Sequence, residues 1–150
     1  MIRPVLIAAA ALAPLSGHAA AVRQCDGTAS AWNLAEPWEQ HSASYAQGAI
    51  RVAVLDTIEP AGAPVQLLVL APPLDEIGAR RCRIVSLSAE GSGFYDLDFP
   101  GRKGSYDPAR GLTLTIPAKR FDPRSGQGRP ATLTVTIDQN SGAIAADLVP

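Results

Sequence analysis

Apolar and polar side chains alternate with a period of two along most of this chain, from about residue 47 onward. This is the pattern of β-strands that turn one face to a core and the other to solvent. Ile50, Val52 and Val54 follow it, and so do four later segments, at residues 95–99, 112–116, 133–137 and 143–149. The alternation predicts an all-β protein.

Residues 65–71 and 82–87 complete the set of predicted strands. The first of these is almost wholly apolar and is bounded by Pro64 and by Pro72 and Pro73, which is typical of a central strand that is buried on both faces. About seven strands at this spacing predict an antiparallel β-sandwich or open barrel.

Three connections share an Asp-x-x-x-Gly frame, at residues 107–111, 122–126 and 138–142. An aspartate side chain can accept hydrogen bonds from backbone N–H groups two or three residues later, and glycine readily adopts the left-handed conformation at the exit of a turn. We therefore expect three hairpin turns, which would make the C-terminal half an antiparallel meander.

Only residues 29–45 resist a strand prediction. Ser30 is a candidate helix cap, but Pro37 would interrupt the helix, so we expect a short irregular or helical N-terminal segment here. Trp32 and Trp38 lie in this segment. Because the chain has only two Trp, three Tyr and three Phe, we expect both tryptophans to pack against the core, and the alternative is that they stack on sugars.

The N-terminus has the features of a cleavable secretory signal peptide. Arg3 precedes an apolar stretch at residues 5–15, which is too short for the ~20 residues that span a bilayer. Ala19, Ala20 and Ala21 then offer an A-x-A cleavage pattern. We expect residues 1–21 to be removed from the 150, so that residues 22–150 fold as a single exported β-rich domain.

A second cleavage site is present in the same segment. Gly17 and Ala19 also place small side chains where signal peptidase needs them, which would put the cut after Ala19. The sequence favours the cut after Ala21.

Cys25 and Cys82 both follow the predicted cleavage site, and the chain has no other cysteine. Two thiols in a small exported domain most often pair, so we expect a disulfide that ties the mature N-terminus to the middle of the chain. The high Ala, Pro and Arg content indicates a GC-rich bacterial genome. Together with the signal peptide, this composition favours a periplasmic or secreted protein of a Gram-negative bacterium, without a membrane span.

The charge balance argues against a nucleic-acid partner. Removing Arg3 from the 13 basic residues leaves 12 against 14 acidic ones, a formal charge of −2, whereas nucleic-acid binding usually demands a strong basic excess. Several of the basic residues fall in segments that are predicted to be loops. If the loops after Phe99 and Ile116 meet at one end of the sandwich, they form a positive patch for an anionic ligand. The predicted ligand-binding residues are Arg102, Lys103, Lys119, Arg120 and Arg124. The alternative is that these are scattered charges that keep the sheet soluble.

Catalytic groups are scarce. His41 is the only histidine after residue 21, and a disulfide would consume both thiols. Asp96 and Asp98 share a strand face, and paired carboxylates about 5 to 9 Å apart are what glycoside hydrolysis uses, with Glu90 or His41 as further candidates. The polar face of an exposed strand gives the same pattern without any function.

These observations favour a non-catalytic binding or accessory module, with no catalytic residue, cofactor or metal expected. Its partner would be a protein or an anionic envelope polymer. A small hydrolase that uses paired carboxylates and a structural component of the cell envelope are the alternatives.

Overall fold

The computed structural model of the protein describes residues 17–59 and 62–150. Arg3 and the apolar stretch of the predicted signal peptide lie outside these residues. Among the helices of the described ranges, none is long and apolar enough to cross a membrane.

The described residues form eleven strands and one short α-helix. The strands are, in chain order, β1 (His18–Ala19), β2 (Ala21–Gln24), β3 (Ser42–Tyr45), β4 (Ile50–Asp56), β5 (Val65–Leu74), β6 (Arg80–Ser86), β7 (Asp96–Leu97), β8 (Lys103–Asp107), β9 (Gly111–Asp122), β10 (Gln127–Ile137) and β11 (Ile144–Val149). The helix α1 (Trp38–His41) follows a 3₁₀ turn at Ala31–Asn33, and a second 3₁₀ turn covers Ala46–Gly48.

The strands pair into two antiparallel sheets. Sheet A has the order β1-β11-β10-β9, and β7 and β8 both pair with the far edge of β9. Sheet B has the order β2-β6-β5-β4-β3. The prediction of an all-β antiparallel sandwich is confirmed, and so is the C-terminal meander, which runs through β8, β9, β10 and β11. The structure has more strands than the seven or so expected, because β1, β2, β3 and β8 are short and carry little alternation.

The core lies between the two sheets. Leu114 and Ile116 of β9 and Leu133 and Val135 of β10 are fully buried in it. They pack with the inward side chains of sheet B, among them Val52, Leu67, Val69 and Val85. The alternating residues of the predicted strands therefore point inward as expected.

Sheet B is partly covered on its outer face. Leu55 and Ile84 are fully buried there, and the segment before α1 runs beside β4. Leu34 forms a bridge with Leu55, and the Ala35 N–H donates to the carbonyl oxygen of Val54 at 3.0 Å. The prediction that β5 is buried on both faces holds only in part: Gln66 is buried on this face, whereas Leu68 and Leu70 on the same face are half-buried.

Two details of the N-terminal segment differ from the sequence prediction. Residues Ser42–Tyr45 form a strand, which pairs with β4. Trp32 and Trp38 are 85% and 54% exposed, so the prediction that they pack in the core is wrong. Leu34 and Ala35, which lie between them, make the contacts with sheet B instead.

The strands β9 and β10 are longer than predicted because each tolerates a proline. In an antiparallel strand, the N–H and C=O groups of one residue point to the same neighbouring strand. The carbonyl oxygen of Pro117 accepts the N–H of Asp98 at 2.8 Å, on the side of β9 away from β10. The missing N–H of Pro117 therefore faces the outer edge of β9, and no bond to β10 is lost. Pro130 lies beyond the last residue of β10 that pairs with β11, which is Thr132.

The three predicted hairpin turns and the disulfide are confirmed. In the turns, Oδ1 of Asp107, Asp122 and Asp138 accepts the N–H two residues later at 2.8 to 3.0 Å. Gly111, Gly126 and Gly142 have φ of 87°, 67° and 76°. Cys25 and Cys82 are bonded, and their Cα atoms are 5.5 Å apart.

Candidate functional site

The five predicted ligand-binding residues do not lie on one surface. Arg102 is engaged in structural contacts: its Nε donates to the Tyr45 hydroxyl at 2.9 Å, and its Nη1 donates to the Phe99 carbonyl at 2.8 Å. Its guanidinium also lies over the Phe99 ring, 4.2 Å from the centroid. Arg102 therefore ties the β7–β8 connection to β3 and has little freedom to bind a ligand.

Lys103 and Lys119 lie apart from the others. Lys103 opens β8 and pairs with Thr115, five residues before Arg120 on β9, which corresponds to about 17 Å along a strand. Lys119 lies within β9, where a loop was expected, and its Nζ is 3.2 Å from Oδ2 of Asp96. Both ends of that ion pair are half-exposed.

Arg120 also lies within β9, on the face opposite to Lys119. Ile116 and Ala118 point into the core, and side chains two residues apart share a strand face. Arg120 therefore continues the core-facing row of β9 past the end of the core. The inner face of sheet A changes at this point from apolar to charged.

A second arginine lies directly opposite on the neighbouring strand. The register of β9 and β10 pairs Arg120 with Arg129, so their Cβ atoms stand about 5 Å apart, as in any directly opposed pair. Arg124 lies in the turn that joins the two strands. We call the surface formed by Arg120, Arg124 and Arg129, together with Asp122 and Leu87, the arginine groove.

Asp122 is the one acidic side chain of the arginine groove. Its Oδ2 accepts from Nε of Arg129 at 2.6 Å, and its Oδ1 accepts from the backbone N–H of Arg124 at 3.0 Å. The Arg124 amide, and after it the Arg129 guanidinium and the Ser125 hydroxyl, hold the pKa of Asp122 below its usual value. Asp122 is thus ionised at neutral pH and fixes Arg129.

Two arginines of the groove have no side-chain partner in the part of the chain that the structure describes. Arg120 and Arg124 make no side-chain hydrogen bond or ion pair there. Three guanidinium groups against one carboxylate leave a local charge of +2 in a chain whose formal net charge is −1. An anion is therefore favoured at this end of the sandwich.

The groove consists of two adjoining depressions that share Leu87, Arg120 and Arg129. One has a volume of about 490 Å³ and also contains Phe121 and Arg124. The other, of about 440 Å³, is bordered by Pro130, Ala131 and Leu148, and by His18 and Ala19 of β1. Both are open to solvent, so a long ligand can lie along them.

Arg129 was not among the predicted site residues. Its position follows from the second hairpin turn: residues 122 and 127 close that turn, so residue 120 must lie opposite residue 129. Extending the strand pairing outward from this turn would have identified Arg120 and Arg129 as opposed residues. Pro117 and Pro130 hid it, because they made the strands look shorter than they are.

The candidate hydrolase residues are only partly brought together. His41, Asp96 and Asp98 border one open depression of about 550 Å³, together with Lys119. Glu90 lies elsewhere, in the turn after β6. Its own backbone N–H and the Ser88 hydroxyl lower the pKa of Glu90, which is the wrong direction for a general acid.

The side chains in that depression already have partners. Asp96 is paired with Lys119, Asp98 Oδ1 accepts the Gly101 N–H at 3.1 Å, and Nδ1 of His41 lies 3.1 Å from the Pro37 carbonyl oxygen. Across residues 17–59 and 62–150, no group of three His, Cys, Asp or Glu side chains is arranged to hold a metal ion. The depression can take part in surface contacts, and its carboxylates serve an ion pair and a turn.

Comparisons of this chain with family models, with curated proteins and with solved structures found no match.

Proposed function

We propose that this protein is an exported, non-catalytic binding module whose ligand is an acidic polysaccharide of the cell envelope. The single observation that carries the proposal is the directly opposed pair Arg120 and Arg129. Like charges in such a pair destabilise a sheet, and Asp122 neutralises only one of the two. A bound carboxylate or phosphate would relieve the remaining repulsion.

Arginine suits this ligand class better than lysine would. Its planar guanidinium donates two parallel hydrogen bonds to a carboxylate or phosphate, and it is less strongly hydrated than an ammonium group. Arg120 and Arg124 are exposed and have no side-chain partner among the described residues, so both can turn toward a ligand. Arg129, in contrast, is paired with Asp122.

The shape of the arginine groove supports a polymer rather than a small molecule. Small ligands are mostly held in concave sites that bury 70–90% or more of their surface, by general experience with such sites. Here two open depressions adjoin and share Arg120 and Arg129. An extended chain with repeated anionic groups can contact both.

The proposal is tested with the charge-reversal double variant Arg120→Glu and Arg124→Glu. Binding of polygalacturonate to the exported protein is measured by isothermal titration calorimetry at 50 mM and 300 mM NaCl, and neutral dextran of matched length serves as the uncharged probe. We expect the variant to bind polygalacturonate at least about tenfold more weakly, a change of about 1.4 kcal/mol. Binding by the wild type should weaken at high salt because exposed charges are screened.

The matched control is Lys103→Glu with Arg110→Glu. Both residues are exposed and lie at the other end of β9, so the control changes the net charge by the same amount. It should bind like the wild type. Equal losses in the two variants would mean that net charge alone drives binding, and binding of dextran as tightly as polygalacturonate would contradict an anionic ligand.

A protein partner, small-hydrolase activity and a structural envelope role are the competing proposals. The hydrolase proposal is weakened by the partners that Asp96, Asp98 and His41 already have. Release of reducing sugar from polygalacturonate by the wild type, with loss of that activity in Asp96→Asn, would overturn the non-catalytic proposal.

A further inference from the structure

We infer that the signal peptide is cut after Ala19, so that Ala20 becomes the N-terminal residue of the mature protein. The inference rests on the proposed export of the chain. The sequence alone favours the cut after Ala21. The contacts of residues 18–24 in the fold favour the cut after Ala19 instead.

Ala20 belongs to the folded domain. It is 8% exposed and lies in the main core cluster, and its N–H donates to the carbonyl oxygen of Ala146 at 2.9 Å. Ala21 then begins β2 and pairs with Ser86. A cut after Ala21 would remove a core side chain, a hydrogen bond to sheet A and the first residue of β2.

His18 and Ala19 contribute much less. Both are exposed, and they form a two-residue strand at the edge of sheet A, where they pair only with Leu148 and Asp147 of β11. A cut after Ala19 removes this edge and leaves Ala20 in place. The new α-ammonium group can still donate to the Ala146 carbonyl, since it replaces the amide N–H at the same atom.

The cut has a consequence for the arginine groove. His18 and Ala19 border the depression that contains Arg120 and Arg129, so their removal widens it. The α-ammonium of Ala20 then stands at this border, because Ala20 directly follows Ala19 in the chain. Processing therefore adds a cation at the margin of the groove.

The test is the N-terminus of the exported protein, determined by intact mass and N-terminal sequencing for three chains. Ala21→Val places a branched side chain at the last position before the Ala21 cut, and Gly17→Leu places a large one three positions before the Ala19 cut, so each variant impairs only one site. We expect the wild type and Ala21→Val to begin at Ala20. The Gly17→Leu chain should be processed at least about tenfold more slowly, or its cut should move to another position.

Each outcome is decisive. A wild-type chain that begins at Val22, or an Ala21→Val chain that fails to be processed while Gly17→Leu is cut normally, overturns the inference and leaves export intact. An exported chain that keeps residues 1–19 overturns this inference and leaves export intact, whereas failure to find the protein outside the cytoplasm overturns the proposed export. None of these readouts depends on the ligand of the arginine groove.

Discussion

Arg23 joins three parts of sheet B through its guanidinium. It lies on β2, and it donates to Oγ of Ser86 at 3.2 Å, to Oδ2 of Asp26 at 2.7 Å and to Oε1 of Gln66 at 2.8 Å. Gln66 and Ser86 are buried. The contact with Gln66 therefore satisfies a buried side-chain oxygen, whereas the Ser86 hydroxyl also donates to the Ser88 carbonyl at 2.8 Å.

Replacing Arg23 with Ala should lower the free energy of unfolding by about 2 kcal/mol, because a buried acceptor on Gln66 loses its charged donor. The measurement is urea unfolding followed by tryptophan fluorescence. Arg110→Ala is the control, since its exposed side chain makes no contact of this kind among the described residues, and it should change the free energy by less than about 0.5 kcal/mol. Equal effects of the two substitutions would contradict the structural role of Arg23.

Asp26 gives the domain a pH-dependent contribution. The backbone N–H of Thr28, and after it the Arg23 guanidinium, lower the pKa of Asp26 from 3.8 to about 2. A depressed carboxyl pKa stabilises the fold above the unfolded value, and this contribution is lost as pH falls from about 4 toward 2.

Asp26→Asn should therefore be less stable than the wild type at pH 7 and equal to it near pH 2. We expect the free energies of unfolding of the two proteins to differ by about 1 kcal/mol at pH 7. This is less than the pKa change alone implies, because the carboxylate is half-exposed and is screened by solvent. Urea unfolding at pH 7, 4 and 2.5 measures the difference. If Asp26→Asn lowered the free energy of unfolding equally at all three pH values, Asp26 would act through packing and not through its charge.

At the scale of the elements, the three Asp-x-x-x-Gly turns look alike in sequence and differ in their surroundings. Gly111 and Gly126 both have positive φ, of 87° and 67°. A Cβ at Gly126 would meet no atom within 4 Å, whereas a Cβ at Gly111 would overlap the carbonyl oxygen of Ile137. The β8–β9 turn is packed against the end of β10, and the β9–β10 turn projects into solvent.

Gly126→Ala should lower the free energy of unfolding by about 1 kcal/mol, which is the usual effect of a side chain at positive φ. Gly111→Ala should lower the free energy of unfolding by about 3 kcal/mol or more, because the backbone of Ile137 must also move. Thermal unfolding of the two variants and of Gly27→Ala, where φ is not positive and a Cβ meets no atom, gives the comparison. If Gly111→Ala and Gly126→Ala were equally stable, the packing at Gly111 would be contradicted.

The elements that the sequence predicted are those with local signals. Alternation identified the inward rows of β9 and β10, and the aspartate and glycine of each turn located the hairpins. Residues Ser42–Tyr45 alternate over only four positions, which is a weak signal, and that strand is defined by its pairing with β4. The ends of β9 and β10 were missed for a related reason: whether a proline interrupts a strand depends on which neighbour its missing N–H faces.

The candidate site was harder to predict than the fold. Arg120 and Arg124 were among the predicted residues and lie in the groove, but Arg102 and Lys119 hold internal contacts with Tyr45 and Asp96. The sequence shows where basic residues are frequent. It does not show which of them already have a partner, because those partners come from distant parts of the chain.

At the scale of the whole molecule, the two sheets end at different places. The inner face of sheet A continues beyond the core through Arg120 and Arg129, and among the described residues the sheet B side contributes Leu87, which follows β6, to the two depressions here. The charged extension of sheet A is therefore exposed at one end of the sandwich. The proposed ligand would contact this β9–β10 hairpin and not the core.

We propose that this end of the sandwich binds an anionic polymer. An NMR titration of the ¹⁵N-labelled protein with oligogalacturonate tests this directly. We expect shift changes for the backbone amides of Leu87 and of the non-proline residues within 118–131, while Lys103 and the tryptophan side chains at 32 and 38 stay unchanged. Changes confined to β8, to β3 or to the tryptophans, or no change at all, would contradict it.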